Sequence, residues 1–231
     1  MSRKFYFILS VFVFYIFLPA TAQDLKSDIS IYGLDPIVYN GKVYNYFPGV
    51  GVKGHQYFEQ KDFNEGCISI RGAKYENVLI NYDILNQDVI LKYSDPQGSN
   101  RLISVSKAWL KQFSVSNEQF SILDTPEGEK LIVQTLNQGS IQLHIHWTKK
   151  LIAVITFIEE NYVFDKKNSI LFLSYKDNLQ EFKSTKDILA LLDKDAQQKV
   201  KKYLKVNKIK ARTNSQDQLI KLLNYCNQLD L

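Results

Sequence analysis

Between about residues 37 and 175 apolar and polar positions alternate with a period of two, in short segments broken by turn residues, which is the pattern of antiparallel strands. Val78, Ile80 and Tyr82 share one face, opposite Leu79, Asn81 and Asp83, and Val89, Leu91 and Tyr93 resume the pattern after a turn at Asn86, Gln87 and Asp88. Asn40-Gly41 between Val38-Tyr39 and Val43-Tyr44 predicts a tight hairpin, because a type I′ turn needs positive φ at both central residues. Ile68 and Ile70 alternate with Ser69 and Arg71 before Gly72, and Asp95-Pro96-Gln97-Gly98 places proline and glycine where a type I turn favours them. Further strands are expected over residues 101–105, 112–115, 120–123 and 131–136. Over 141–147, Ile141, Leu143, Ile145 and Trp147 face one way and Gln142, His144 and His146 the other, with the histidines expected on the solvent side. Residues 151–164 fit strand or helix by periodicity, and their Val, Ile, Thr and Phe content favours strand. The apolar run 151–158 suits a buried one. Residues 170–175 read as the last full strand, turning at Lys176-Asp177-Asn178.

After Lys183 the period becomes helical. Ser184 with Asp187 three residues on matches a capping box, followed by Ile188, Leu189, Leu191 and Leu192. Asp195 reads as the cap of a second helix reaching about Val206. Ser215 with Gln218 reads as the cap of a third, whose apolar face is Leu219, Leu222, Leu223, Cys226 and Leu229. The expected fold class is therefore α+β, mainly antiparallel β. A curved meander sheet, sandwich or open barrel spans residues 23–183, and a subdomain of about three helices over 184–231 packs on the sheet.

Residues 1–22 stand apart as a signal peptide. Arg3 and Lys4 precede an uncharged run over residues 5–18, Pro19 breaks it, and Ala20-Thr21-Ala22 has the small-x-small form of a cleavage site, so the mature chain would begin at Gln23. The run falls short of the roughly 20 apolar residues that cross a bilayer, and no cysteine follows the cleavage site to carry a lipid. The expected location is the periplasm or the cell exterior, where nucleic acid is not an expected partner. Alternating segments also describe outer-membrane barrel strands, but capped helices at the C-terminus leave no strand to close such a barrel.

Composition adds that 14 Tyr and 14 Phe suit a pleated, half-buried surface. Charge is uneven: residues 23–148 carry 11 basic and 14 acidic side chains (net −3), and residues 149–231 carry 16 and 10 (net +6). The basic excess is densest over 199–212, which holds no acid. At helical spacing Lys201, Lys205 and Lys208 form one outward row, with Lys199 and Lys202 beside it and Val200, Tyr203 and Leu204 facing the core. Such a row is either a solvated helix face or a contact for an anionic membrane surface or an acidic partner.

Asp35-Pro36-Ile37-Val38-Tyr39-Asn40-Gly41, Lys53-Gly54-His55-Gln56-Tyr57-Phe58, and Gly66 with Tyr75-Glu76-Asn77-Val78 and Asn81-Tyr82-Asp83 resemble a family of secreted proteins of Bacteroidota-type bacteria. Tyr175-Lys176-Asp177, Lys183-Ser184-Thr185-Lys186, Lys205-Val206-Asn207-Lys208-Ile209-Lys210 and Leu222-Leu223-Asn224-Tyr225 extend the resemblance over most of the mature chain. It implies a bacterial envelope setting and supplies no activity, because the shared residues are those of turns and packing.

Candidate chemistry is sparse. His144 and His146, two apart on one strand face, could both reach one metal ion. Zinc needs a third and usually a fourth ligand, which His55 or Asp83 supplies only if the fold brings it near. A metal-dependent hydrolase built on this pair is the alternative function. There is no G-x-S-x-G elbow, and neither Cys67 nor Cys226 lies in an activating motif; the two either pair in an oxidising compartment or pack as small hydrophobes. Asp83 and Asp88 flank a hairpin as paired carboxylates or as solvated turn residues. The glycines between 49 and 54 open no helix to cradle a phosphate, and Asp124, Glu127 and Glu129 lack the register of a calcium loop. The leading expectation is a non-enzymatic exported envelope protein, without cofactor, that binds a small apolar ligand or an envelope protein through a concave face of its sheet.

Overall fold

The computed structural model describes residues 41–95, 97–155, 160–176, 178–210 and 215–229. The expected signal peptide and the expected first strand of the Asn40-Gly41 hairpin lie outside the described residues. Thirteen strands are present among the described residues: β1 (Lys42–Val43), β2 (Asn64–Ile70), β3 (Ala73–Asp83), β4 (Asp88–Ser94), β5 (Asn100–Ser104), β6 (Leu110–Val115), β7 (Glu118–Asp124), β8 (Lys130–Thr135), β9 (Ile141–Thr148), β10 (Leu151–Ile155), β11 (Glu160–Phe164), β12 (Asn168–Tyr175) and β13 (Asn178–Glu181). Three helices follow, α1 (Thr185–Ala190), α2 (Lys194–Val206) and α3 (Gln216–Asn227). Eleven strands form one antiparallel sheet in the order β1-β5-β4-β3-β2-β6-β7-β8-β9-β12-β13. It is a mainly antiparallel meander that does not close on itself, carrying helices at its C-terminal end, so the fold class read from the sequence holds.

Burial follows the alternation. Val78, Ile80 and Tyr82 of β3 are buried in a first core with Ile68, Phe113, Phe120 and Ile132. Its centre is aromatic: Phe113 and Phe120 stack with centroids 5.0 Å apart, and Tyr82 and Phe58 meet Phe120 edge-on at 5.3 and 5.1 Å. The opposite face of β3 departs from the expected pattern, since Asn81 and Asp83 are buried while Leu79 is exposed. The segment over residues 56–62 crosses there, and Asn81 Nδ2 donates to the carbonyls of Gln60, Lys61 and Asp62. At Gly66 β2 bulges against β3. A side chain at Gly66 would strike the Ser114 carbonyl and Ile80, so the close approach of β2 to its neighbours needs a residue without a Cβ.

A second core lies between β9 and β12 and the helices, where Leu143, Ile145 and Leu173 meet Ile188, Val200 and Leu222. Trp147 packs against both cores. The α1 capping box forms as expected, with Asp187 Oδ2 accepting from Ser184 N at 2.7 Å. The cap of α2 is Asp193 rather than Asp195: Asp193 is extended, its carboxylate accepts from Ala196 N at 2.7 Å, and Asp195 falls in the first turn, where its charge meets the positive end of the helix. Ser215 holds the N-cap position of α3, but Gln218 turns away and accepts from Lys210 N at 2.8 Å. Asn227 near the end of α3 ties the helices to the sheet, accepting from Ile141 N at 2.8 Å and donating to the carbonyls of Gln138 and Ile141.

Two strand expectations change. Residues 178–181 form β13, whose four residues are too few to show an alternation. Residues 151–155 and 160–164 are strand, as the composition suggests, but β10 and β11 form a separate two-stranded sheet, and all five residues of β10 are exposed instead of buried. No described helix is long and apolar enough to cross a membrane.

Candidate functional site

The segment over residues 44–63 folds across the outer face of β3, β4 and β5 and is held by a buried carboxylate. Asp83 is fully buried at the end of β3. Its Oδ2 accepts from Tyr44 Oη and Asn86 Nδ2, each at 2.7 Å, and its Oδ1 accepts from the backbone of Leu85 and Asn86, each at 2.9 Å. Gln56 Nε2 donates to Tyr44 Oη at 3.1 Å. Burial and then the hydrogen bond to Asp83 push the Tyr44 phenol far above its ordinary value, so it remains a donor. Asp88 sits opposite Asp83 in the β3–β4 register but accepts from Ser104 Oγ at 2.8 Å. Asp83 is thus a bonded, buried anchor, neither a solvated turn residue nor half of a working carboxylate pair.

The anchored segment leaves a cleft against β4 and β5. One end, about 610 Å³, is lined by Val43, Tyr44, Phe47, Phe63, Tyr93 and Leu102, among others. The other, about 450 Å³, shares Phe47, Phe63 and Lys92 with the first and runs to His55, Tyr57 and Lys61. Val43 and Phe47 are 76% and 66% exposed, so apolar surface stands open at the mouth. Lys92, Arg101 and Lys61 line the cleft with one acid, Asp62, and Arg101 is engaged by Asp95 at 2.9 Å. His55 Nδ1 is buried and has no hydrogen-bond partner among the described residues. Burial, then the Lys149 and Lys61 ammoniums, lower the pKa of His55 and keep it neutral. Lys149 Nζ donates to the carbonyls of His55 and Tyr57 at 2.8 and 3.0 Å, which fixes this wall of the cleft.

The histidine pair lies elsewhere and inside. His144 and His146 are 1% and 9% exposed, which corrects their expected place on the solvent side. His144 Nδ1 meets Thr135 Oγ1 at 2.9 Å and its Nε2 meets Ser174 Oγ at 2.8 Å, while His146 Nδ1 meets the Ile132 carbonyl at 2.9 Å. Neighbouring strands therefore occupy both nitrogens of His144 and one of His146. The described residues hold no group of three His, Cys, Asp or Glu able to hold a metal ion, so the fold brings neither His55 nor Asp83 to the pair as a third ligand. Burial lowers the His144 pKa to about 4, which makes it a weak base for activating Ser174.

Compared with known proteins, the chain matches no family model, no curated relative and no solved structure. Lys199, Lys201, Lys202, Lys205 and Lys208 are exposed on and just beyond α2, with Val200 buried beneath them. Gly54 lies close over Phe164, with 3.2 Å from an added Cβ to the Phe164 Cβ, which accounts for it by packing. Asp124 pairs with Lys130 at 2.7 Å.

Both cysteines are free thiols. Cys67 is half-buried on β2 with Sγ 3.1 Å from Ser114 Oγ, and Cys226 is buried in the helical core. Burial raises the Cys226 thiol to about 11. A thiol reagent applied to the native protein is expected to modify Cys67 first and Cys226 only on unfolding. Two thiols appearing only after reduction would overturn this assignment.

The cleft residues contributed by the 44–63 segment lie outside the periodic strands, so alternation could not point to them. The available signal was aromatic density in an irregular stretch: Tyr44, Tyr46, Phe47, Tyr57, Phe58 and Phe63.

Proposed function

We propose that the protein is a non-enzymatic, exported envelope protein that binds a small amphiphilic anion in the cleft between the 44–63 segment and β4–β5. The observation that carries this reading is the aromatic cleft whose second end is lined by His55, with a buried Nδ1 that has no hydrogen-bond partner among the described residues, beside Lys61. A buried nitrogen without a partner costs about 1–3 kcal/mol, which a ligand acceptor would recover by drawing the His55 ring into the cleft. Tyr44, Phe47 and Phe63 offer an apolar bed for the ligand body, and Lys92 and Lys61 favour a negative head group. The N-terminal charge, apolar run and cleavage pattern support export.

Dodecanoate titrated into residues 23–231 in a calorimeter tests it. Saturable binding of one equivalent is expected, weakened at least about tenfold, or about 1.4 kcal/mol, by Phe47→Ala with Lys92→Glu. Phe47 is largely exposed and Lys92 is half-buried, and circular dichroism of the double variant should match that of the wild type. No saturable heat, or equal affinity in the two proteins, would reject the cleft as the site.

A further inference from the structure

The β10–β11 ribbon carries an unfinished edge. Its register runs from Leu151 opposite Phe164 to Ile155 opposite Glu160. The outer side of β11 is already occupied: Lys53 N donates to the Tyr162 carbonyl at 3.1 Å, and Phe164 N donates to the Lys53 carbonyl at 2.9 Å. Backbone groups of successive strand residues point to opposite sides, so Asn161 and Val163 bond to β10 through Val154 and Ile152. Asp165 N donating to the Lys150 carbonyl at 3.0 Å continues the same parity. The N–H and C=O groups of Leu151, Ala153 and Ile155 therefore point outward, with no backbone partner among the described residues. Ile152 and Val154 are each 43% exposed and Ile155 is 78% exposed, so both faces of the strand are apolar and bare.

A bilayer would receive such side chains but offers nothing to an open row of backbone donors and acceptors. Another strand satisfies both. We infer that this strand is β10 of a second copy of the chain, paired antiparallel in a register centred on Ala153. In that register Leu151 faces Ile155 of the second copy and Ala153 faces its own counterpart. The outward-pointing residues then meet one another as narrow pairs, each exchanging both N–H···O bonds.

Self-pairing places like against like, and a charge near the centre would meet its double. The strand Leu-Ile-Ala-Val-Ile carries none, and it is nearly symmetric about its small central residue. The product is a four-stranded, two-fold sheet in place of two ribbons, and a two-stranded ribbon alone is marginal in water. Edge pairing of five residues a side covers less than the roughly 1,200 Å² of a standard specific interface, which indicates a reversible dimer.

Sedimentation velocity of residues 23–231 from about 10 μM to about 1 mM tests the inference in the range expected for a weak interface. The wild type should pass from monomer to dimer, and Ala153→Lys and Ala153→Asp should each remain monomeric. An equimolar mixture of these two variants should dimerise again, because the central pair becomes Lys against Asp. Ala153 is exposed, so both variants should keep the wild-type circular dichroism, and recovery in the mixture shows that they are folded. The inference fails if the wild type stays monomeric throughout, if Ala153→Lys dimerises like the wild type, or if the mixture stays monomeric. Wild-type protein that floats with phosphatidylglycerol vesicles while sedimenting as a monomer would also overturn it, in favour of a lipid surface.

Discussion

Replacing Asp83 by alanine should destabilise the protein by more than about 3 kcal/mol, because each buried donor left without its acceptor costs about 1–3 kcal/mol. The alanine would strand the Tyr44 hydroxyl, the Asn86 amide and two backbone N–H groups together. Asp83→Asn keeps the shape and one acceptor oxygen for the two backbone donors, so it should cost less than half as much. The hydroxyl of Tyr44 can also reverse to accept from the new amide. Urea unfolding of the two variants beside the wild type measures the difference. If Asp83→Ala unfolds within about 0.5 kcal/mol of the wild type, in the range of an ordinary surface change, the carboxylate does not anchor the 44–63 segment. The same variant should weaken ligand binding in the cleft, since Tyr44 lines it.

Acid should unfold the protein partly through His144. Burial lowers the pKa of this side chain in the folded state from the ordinary 6.5 to about 4. Above pH 6.5 both the folded and unfolded states hold it neutral, and it makes stability no function of pH. As pH falls below 6.5 the unfolded chain takes up a proton that the folded state refuses, so stability declines. The loss is complete near pH 4, where it reaches about 3 kcal/mol. His146 and His55 are lowered by burial as well, and they add to the decline with the same sign. Denaturant midpoints of the wild type and His144→Gln at pH 7.5 and pH 4.5 isolate the one residue. The glutamine amide can serve Thr135 or Ser174 but does not titrate, so its stability should fall by about 2–3 kcal/mol less across that interval. Parallel losses in the two proteins would mean that His144 accepts its proton without unfolding.

The strands that could be read in advance are those with one face in the core. In β3 the order Val78, Ile80, Tyr82 is the order of the buried face, and the Asn86-Gln87-Asp88 turn ends it as turn chemistry requires. Two kinds of residue defeated the alternation. Polar side chains on the far face of β3 and on β9 looked solvated, yet the 56–62 crossing covers Asn81 and Asp83, and hydrogen bonds within the sheet engage both nitrogens of His144 and Nδ1 of His146. Apolar residues of 151–155 looked buried, since composition records what a segment avoids and not whether the chain itself covers it. Asp193 and Asp195 illustrate a smaller ambiguity, two acids two residues apart of which only the extended one caps. The candidate cleft was the least legible part. Its walls come from a non-periodic segment and from the outer faces of β4 and β5, brought together by Asp83 across 39 residues of chain.

In the large sheet, neighbouring strands are also neighbours in sequence except at β1–β5, β2–β6 and β9–β12. Most of the sheet can therefore assemble by local zippering of hairpins, on a timescale of microseconds each. The join of β2 to β6 differs, because it brings Ile70 to Leu110 across the whole β3–β5 run. Its entropic cost grows with the logarithm of the enclosed length and is met only when the aromatic centre of the first core comes together. Folding speed should thus depend on this one closure far more than on the number of strands, and the bulge at Gly66, where β2 passes close to β6, lies on the path that every folding molecule must take.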